Sequence, residues 1–191
     1  MPHLSVDPVV ITAQIINGFQ SIISRRKSPM ENAVISVCSI HGGTVHNIIP
    51  ESVELIGTIR TFDDKMRQWI PKAMEDLVAG ITKAQGADYK FQLNLRYPPL
   101  INDEKMTDTA KNAIAKIIGN ENVEYAKEAN MGGEDFAYLC QYVPSSFFFV
   151  GIAEDKDNPV IHHNPRFKWD DDVLKISASS LCQTAVDFLN G

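Results

Sequence analysis

Two imidazoles and a carboxylate pair carry most of the chemistry this sequence could perform. His162-His163 follow the apolar pair Val160-Ile161, Pro165 comes two residues later, and Asp170-Asp171-Asp172 precede an apolar-periodic run. Proline disfavours helix at the residue before it, so His163-Asn164 belongs to a loop or strand end. The aspartates supply an N-cap and favourable charge for a following helix dipole. Loops held by a rigid scaffold are where binding and catalytic residues concentrate; the alternative is a surface His pair that binds nothing. Upstream, Met131-Gly132-Gly133-Glu134-Asp135-Phe136 sets two carboxylates behind flexible backbone. Glycine lets a chain approach a ligand closely, so Glu134 suits a base, a ligand or a substrate contact. The alternative is a helix that starts near Glu134, with the acids there for its dipole.

The elements that must position these residues are legible from caps and periodicity. Asp7-Pro8 opens a helix running to about Lys27, with aspartate as N-cap and proline in the first turn. Val9, Ala13, Ile16, Phe19 and Ile23 form one apolar stripe on it, and Ile11, Ile15 and Ile22 a second. So wide an apolar surface implies burial on two sides, one against a sheet and one against a second subunit, or else a fully buried core helix. Ala33–Ile40 and Ser52–Phe62 read as strands of a hairpin. Asp63-Asp64 caps a second helix with Met66, Ile70, Ala73, Leu77 and Ile81 on one face. Pro71 either kinks that helix or marks its true start. Tyr89–Arg96 alternates as a third strand, and 98–103 is a linker. Beyond it are expected a helix over Thr107–Ile118, a short strand at Val123–Ala126, a buried strand at Phe147–Ile152, and a last helix whose buried stripe is Leu174, Ala178, Leu181, Ala185 and Phe188.

Helix, strand, strand, helix, strand is a split βαβ, ferredoxin-like pattern that lacks most of its first strand. The fold class expected is therefore α+β. A ferredoxin-like domain spans 1–100 and a second α/β segment spans 101–191, each reading as part of a larger design. The composition is that of an ordinary globular protein, since 44% of the 191 residues are hydrophobic and 22% charged. A net charge of −6 without a basic run argues against nucleic acid or anionic membrane as partners. No apolar run is long enough to span a bilayer, and no signal peptide is expected. Three widely spaced cysteines, Cys38, Cys140 and Cys182, exclude a disulfide framework and fit a reducing cytoplasm. Cys38 and Cys182 are expected to be packing residues.

Five motifs in order give the chain a family resemblance over essentially its whole length. They are Met1–Pro8, Gly42-Gly43-Thr44-Val45-His46-Asn47-Ile48-Ile49-Pro50, Gly57-Thr58-Ile59-Arg60-Thr61-Phe62, Met131–Phe136 and His163-Asn164-Pro165-Arg166-Phe167. On these it resembles the C-terminal half of the N-acyl-amino-acid amidohydrolases, the zinc-peptidase family of aminoacylase, hippurate hydrolase and auxin-conjugate hydrolases. The resemblance implies a lid, or dimerisation, domain of ferredoxin-like type beside the C-terminal part of an αβα metallopeptidase catalytic domain. It implies metal-dependent hydrolysis of the amide bond of N-acyl amino acids or small peptides, with two zinc ions, or manganese or nickel, in the full-length enzyme.

Carried over motif by motif, His163 becomes a metal ligand. Glu134 and Gly133 line the catalytic and substrate site, and Asn47 and Arg60 become substrate-binding residues of the lid. Arg60 suits the carboxylate of an N-acyl amino acid, because its planar fork pairs with carboxylates. The alternatives are a turn-capping Asn47 and a solvated Arg60. His162 flanks the ligand, and His3 and His46 are read as dispensable. Lid domains of this kind meet two by two, so a homodimer is expected, with Ile15 and Ile22 in the contact. The family's other metal ligands and its catalytic glutamate have no counterpart here. One imidazole and a carboxylate cannot hold a catalytic metal, so this chain alone is expected to retain none and to be inactive. The competing reading is a non-catalytic dimerisation or ligand-binding module.

Overall fold

A computed structural model describes residues 1–153, 159–160 and 162–191; Ile161 of the apolar pair lies outside the described residues. The chain divides into two compact units, Met1–Pro99 with Asn130–Gly133, and Leu100–Ala129 with Glu134–Gly191.

The first unit is a two-stranded antiparallel sheet packed on two helices. Helix α1 (Pro8–Ser21) starts where the Asp7 carboxylate accepts from the amides of Val9 and Val10, at 2.9 and 3.3 Å. It runs on into a wider π-turn over Ile22–Arg26. Strands β1 (Ala33–Gly42) and β2 (Val53–Thr61) pair from Ala33 opposite Thr61 to Gly42 opposite Val53. Helix α2 (Asp64–Gln85) is capped by Asp63, whose carboxylate accepts from Met66 N at 2.8 Å. It ends at Gly86, whose φ of 70° is the left-handed conformation glycine tolerates. Pro71 lies buried within α2 rather than at its start.

Ile11, Ile15, Phe19 and Ile22 interlock with Ala33 and Ile35 of β1 and with Met66, Ile70, Ala73 and Val78 of α2. Ile22 and Ile70 are fully buried, and each such side chain contributes roughly 1.5–3 kcal/mol. This corrects the expected role of the second stripe on α1. Ile15 and Ile22 face the core of their own unit, whereas Val9 of the first stripe is 51% exposed.

The hairpin has a slip in register between Val37 and Ser39, which leaves Cys38 outside the pairing. Opposite Val37 stands Gly57, and a Cβ there would collide with the Ser36 carbonyl oxygen. The irregular strand closes tightly against β2 only because residue 57 has no side chain.

Three expected strands form no ladder among the described residues. Alternation decides which face a side chain takes, but a strand also needs a neighbour for its backbone. Along 89–97 the alternating residues Tyr89, Leu93, Leu95 and Tyr97 stay exposed, and one backbone acceptor, Arg96 O, is met by the Arg67 guanidinium at 2.8 Å. At Phe147 the Asn102 side chain serves as neighbour, donating to Phe147 O and accepting from Phe147 N, both at 2.8 Å. The stretch is not uniformly buried either, since Phe149 is 72% exposed. At 123–126 the order comes from a side chain, as Tyr125 donates to Asp108 at 2.5 Å and lies under Lys111 Nζ. That hydrogen bond is the main cause that raises the Tyr125 pKa.

In the second unit, α3 (Glu104–Ile118) begins three residues before the expected start, because Asp103 caps it by accepting from Met106 N at 2.9 Å. Helix α4 is the single turn Phe136–Leu139, and α5 (Asp172–Asn190) follows the aspartates. Helix α5 packs on α3, where Ala110, Ala113 and Ile114 are buried, and Lys116 pairs with Asp187 at 2.8 Å. The buried residue of α5 is Ser180, not the expected apolar stripe, and Leu174, Leu181 and Phe188 are exposed. Small residues at the crossing admit close approach, which a leucine stripe would prevent. Cys38 and Cys182 are exposed free thiols rather than packing residues. No described helix is long and apolar enough to cross a membrane.

Candidate functional site

Arg60 and Gly133, 73 residues apart in sequence, meet in the first unit. Arg60 pairs with Val34 across the hairpin and so projects from the sheet face opposite the one whose Ala33 and Ile35 pack on α1 and α2. A Cβ on Gly133 would fall 2.8 Å from Arg60 Nη1 and 3.0 Å from Tyr97 Cδ2. The backbone of the Gly-Gly segment therefore passes directly beside the guanidinium, in space that any larger residue would fill. Asn130 folds this segment by accepting from Gly132 N at 2.6 Å, the local turn chemistry of asparagine. Among the described residues no carboxylate pairs with Arg60. An exposed cation with open backbone beside it is suited to a carboxylate from outside the chain.

Asn47 stands elsewhere. It is exposed in the turn between β1 and β2, and its neighbour Ile48 shares a surface hollow with His41, Gly42 and Glu54 at that end of the hairpin. Arg60 sits near the far end of β2, seven residues past Val53, or about 23 Å at strand rise. One small ligand cannot touch both within a single chain. Glu134 and His163 belong to the second unit. Glu134 is half-buried and its Oε1 accepts from Phe136 N at 3.3 Å, next to the one-turn helix that the structural alternative required.

His163 is exposed and has φ 66°, a left-handed conformation that costs a non-glycine residue about 1–2 kcal/mol. The turn after it is held by Asn164, whose Oδ1 accepts from Arg166 N and whose carbonyl accepts from Phe167 N, both at 2.9 Å. Such strain is kept where the surroundings impose it and concentrates at functional sites. The His162 ring stands edge-on to it at 4.9 Å. His3 and His46 lie exposed in the first unit.

Residues 6–187 match peptidase family M20/M25/M40. The chain belongs to that family. A putative amidohydrolase, YhaA, of Bacillus subtilis is 35% identical over 98% of this chain, and an N-acetylcysteine deacetylase of the same organism is 33% identical over 97%. The chain spans about half the length of the curated relatives it matches, 47% in both cases. Among solved structures, a protein described as a putative aminohydrolase, from methicillin-resistant Staphylococcus aureus, superimposes with a TM-score of 0.74 at 30% identity, over 97% of this chain and 47% of that one. A Bacillus subtilis protein described as a dinuclear metal-binding peptidase of the M20 family also gives 0.74, at 29% identity over 98% of this chain and 47% of its own.

M20 membership raises the question of metal. A catalytic site needs about three protein ligands, and among the described residues no three His, Cys, Asp or Glu side chains are grouped to hold an ion. The described residues do not fit a complete metal centre.

Tyr97 and Asn130 were not legible as site residues. Asparagine two positions before a Gly-Gly pair is a turn signal that could have pointed to Asn130. For Tyr97 the sequence offers only its place before Pro98-Pro99.

Proposed function

We propose that this chain is the lid and C-terminal catalytic segment of an M20 hydrolase that cleaves the amide bond of N-acyl amino acids or related small peptides. Residues 1–100 form the lid, of ferredoxin-like type, and 101–191 the catalytic segment. The observation that carries the reading is the Arg60 guanidinium, which no carboxylate among the described residues pairs, against the open backbone of Gly133. It offers a charged fork for the carboxylate that every N-acyl amino acid bears. Relatives described as N-acyl-L-amino acid amidohydrolase, from Geobacillus stearothermophilus, and N-acetylcysteine deacetylase support the substrate class.

In this reading Arg60 and Gly133 orient the substrate by its carboxylate, and Glu134 lines the catalytic site of the full-length enzyme. His163 supplies one ligand to a divalent metal pair, zinc, manganese or nickel, whose remaining ligands lie outside this chain. The exposed Leu174, Leu181 and Phe188 on α5 and the exposed apolar face of 89–97 support a polypeptide that is covered by further protein. A fourth strand beside 89–97 would complete the ferredoxin-like sheet.

Asn47 and Arg60 stand too far apart to serve one ligand in one chain, which supports a homodimer in which Asn47 reaches the neighbouring copy's substrate. The test of the carboxylate reading is titration of the chain with hippurate (N-benzoylglycine) and its methyl ester. Hippurate is expected to bind more tightly, and Arg60→Ala to erase the difference. A charged hydrogen bond contributes roughly 1.5–3 kcal/mol. Equal affinity for acid and ester in the unmodified chain would reject the reading.

A further inference from the structure

We infer that Tyr97 is a positioning residue for Arg60: its ring walls the guanidinium against the backbone of Gly133. This rests on the reading of Arg60 and Gly133 as a carboxylate cradle and adds a third wall to it. The position that a Cβ on Gly133 would take lies 2.8 Å from Arg60 Nη1, 3.0 Å from Tyr97 Cδ2 and 3.6 Å from Tyr97 Cε2. Guanidinium and ring edge thus converge on one point, no more than about 6 Å from each other, so the ring bounds the guanidinium sterically. All three residues belong to the first unit.

The arrangement solves a problem that Arg60 has alone. An exposed arginine with no ion pair among the described residues samples many rotamers and must give them up when a ligand binds. A wall on one side and close backbone on the other remove most of those rotamers beforehand, which tightens binding without any new contact to the ligand. Tyr97 is fit for this because its own freedom is restricted. It precedes Pro98, which is buried, and a residue before proline is confined to extended conformations. Tyr97 is 41% exposed, so the core does not depend on it.

The test uses the 191-residue chain with labelled arginine side chains. Side-chain order at Arg60 Nε and the shift of Gly133 are read by NMR in the unmodified protein, Tyr97→Phe, Tyr97→Leu and Gly133→Ala. Hippurate and its methyl ester are titrated into each. Tyr97→Leu is expected to lower the Arg60 order parameter below about 0.6 and to weaken hippurate about tenfold, with the ester unchanged. Tyr97→Phe keeps the ring and is expected to retain both. Gly133→Ala is expected to displace the guanidinium and remove the preference for the acid.

If Tyr97→Leu leaves Arg60 as ordered as before, the positioning role is overturned, even where Arg60→Ala shows that the carboxylate reading holds. Loss of order in Tyr97→Phe equal to that in Tyr97→Leu would assign the effect to the hydroxyl and overturn it too. If instead acid and ester bind alike in the unmodified chain, the carboxylate reading fails, and Arg60 order alone still decides what Tyr97 does.

Discussion

Gly57→Ala should destabilise the first unit through backbone alone. The added methyl would meet the Ser36 carbonyl oxygen, with Ser36 C and Val37 Cα at 3.3 Å behind it. No rotamer relieves a clash with main chain, so β1 and β2 must separate where the register slips. Overpacking of this kind costs about 1–3 kcal/mol, and in a chain of this size each kcal/mol lowers Tm by about 2–4 °C. Arg60 lies three residues further along β2, so opening the hairpin at Gly57 also disturbs the cradle. Urea unfolding followed by circular dichroism is the assay, with a lowered midpoint and unchanged slope expected. Gly80→Ala is the control. It sits inside α2 with nothing within 4 Å of the new methyl, and should stabilise by about 0.5–1 kcal/mol. An unchanged midpoint for Gly57→Ala beside a raised one for Gly80→Ala would refute the close-approach argument.

Ile15→Asp should unfold the first unit rather than split a dimer, because Ile15 is core and an unpaired buried charge costs several kcal/mol; a well-folded monomer by sedimentation and circular dichroism would contradict this. The α3–α5 pair should weaken in acid. The Lys116 hydrogen bond, then that of Gln183, holds the Asp187 pKa below its ordinary value. Its stabilising effect is therefore complete above the unfolded pKa of about 3.9 and is lost as pH falls through the lower folded value. Asp187→Asn should remove that part of the pH dependence, and an unaltered acid-unfolding profile would count against it.

Local rules read the caps and the helix faces of the first unit well, because a cap is decided within four residues. Asp7 and Asp63 cap as expected, and Met66, Ile70 and Ala73 are buried on α2. What failed depends on partners that sequence periodicity does not name. The stripes of α1 were visible, but which one faces the core was decided by α2 and the sheet. Helix α5 shows the reverse, since its leucines are exposed and Ser180 is buried against α3. Tyr89–Arg96 and Phe147–Ile152 carry strand patterns without a ladder among the described residues. At the candidate site, Arg60 and Gly133 were named from motifs, and the structure brings the two together. Asn47 was named with them and stands at the other end of the hairpin.

The central claim is that this chain carries the carboxylate-binding part of an M20 hydrolase, with no grouping of ligands among its described residues that could hold a metal centre. Release of free amino acid from N-acyl substrates by the purified 191-residue chain, with zinc, manganese or nickel added and then chelated, tests it most directly. Turnover no higher than a protein-free blank is expected with every metal. Turnover that copurifies with the chain and is abolished by the chelator would contradict it.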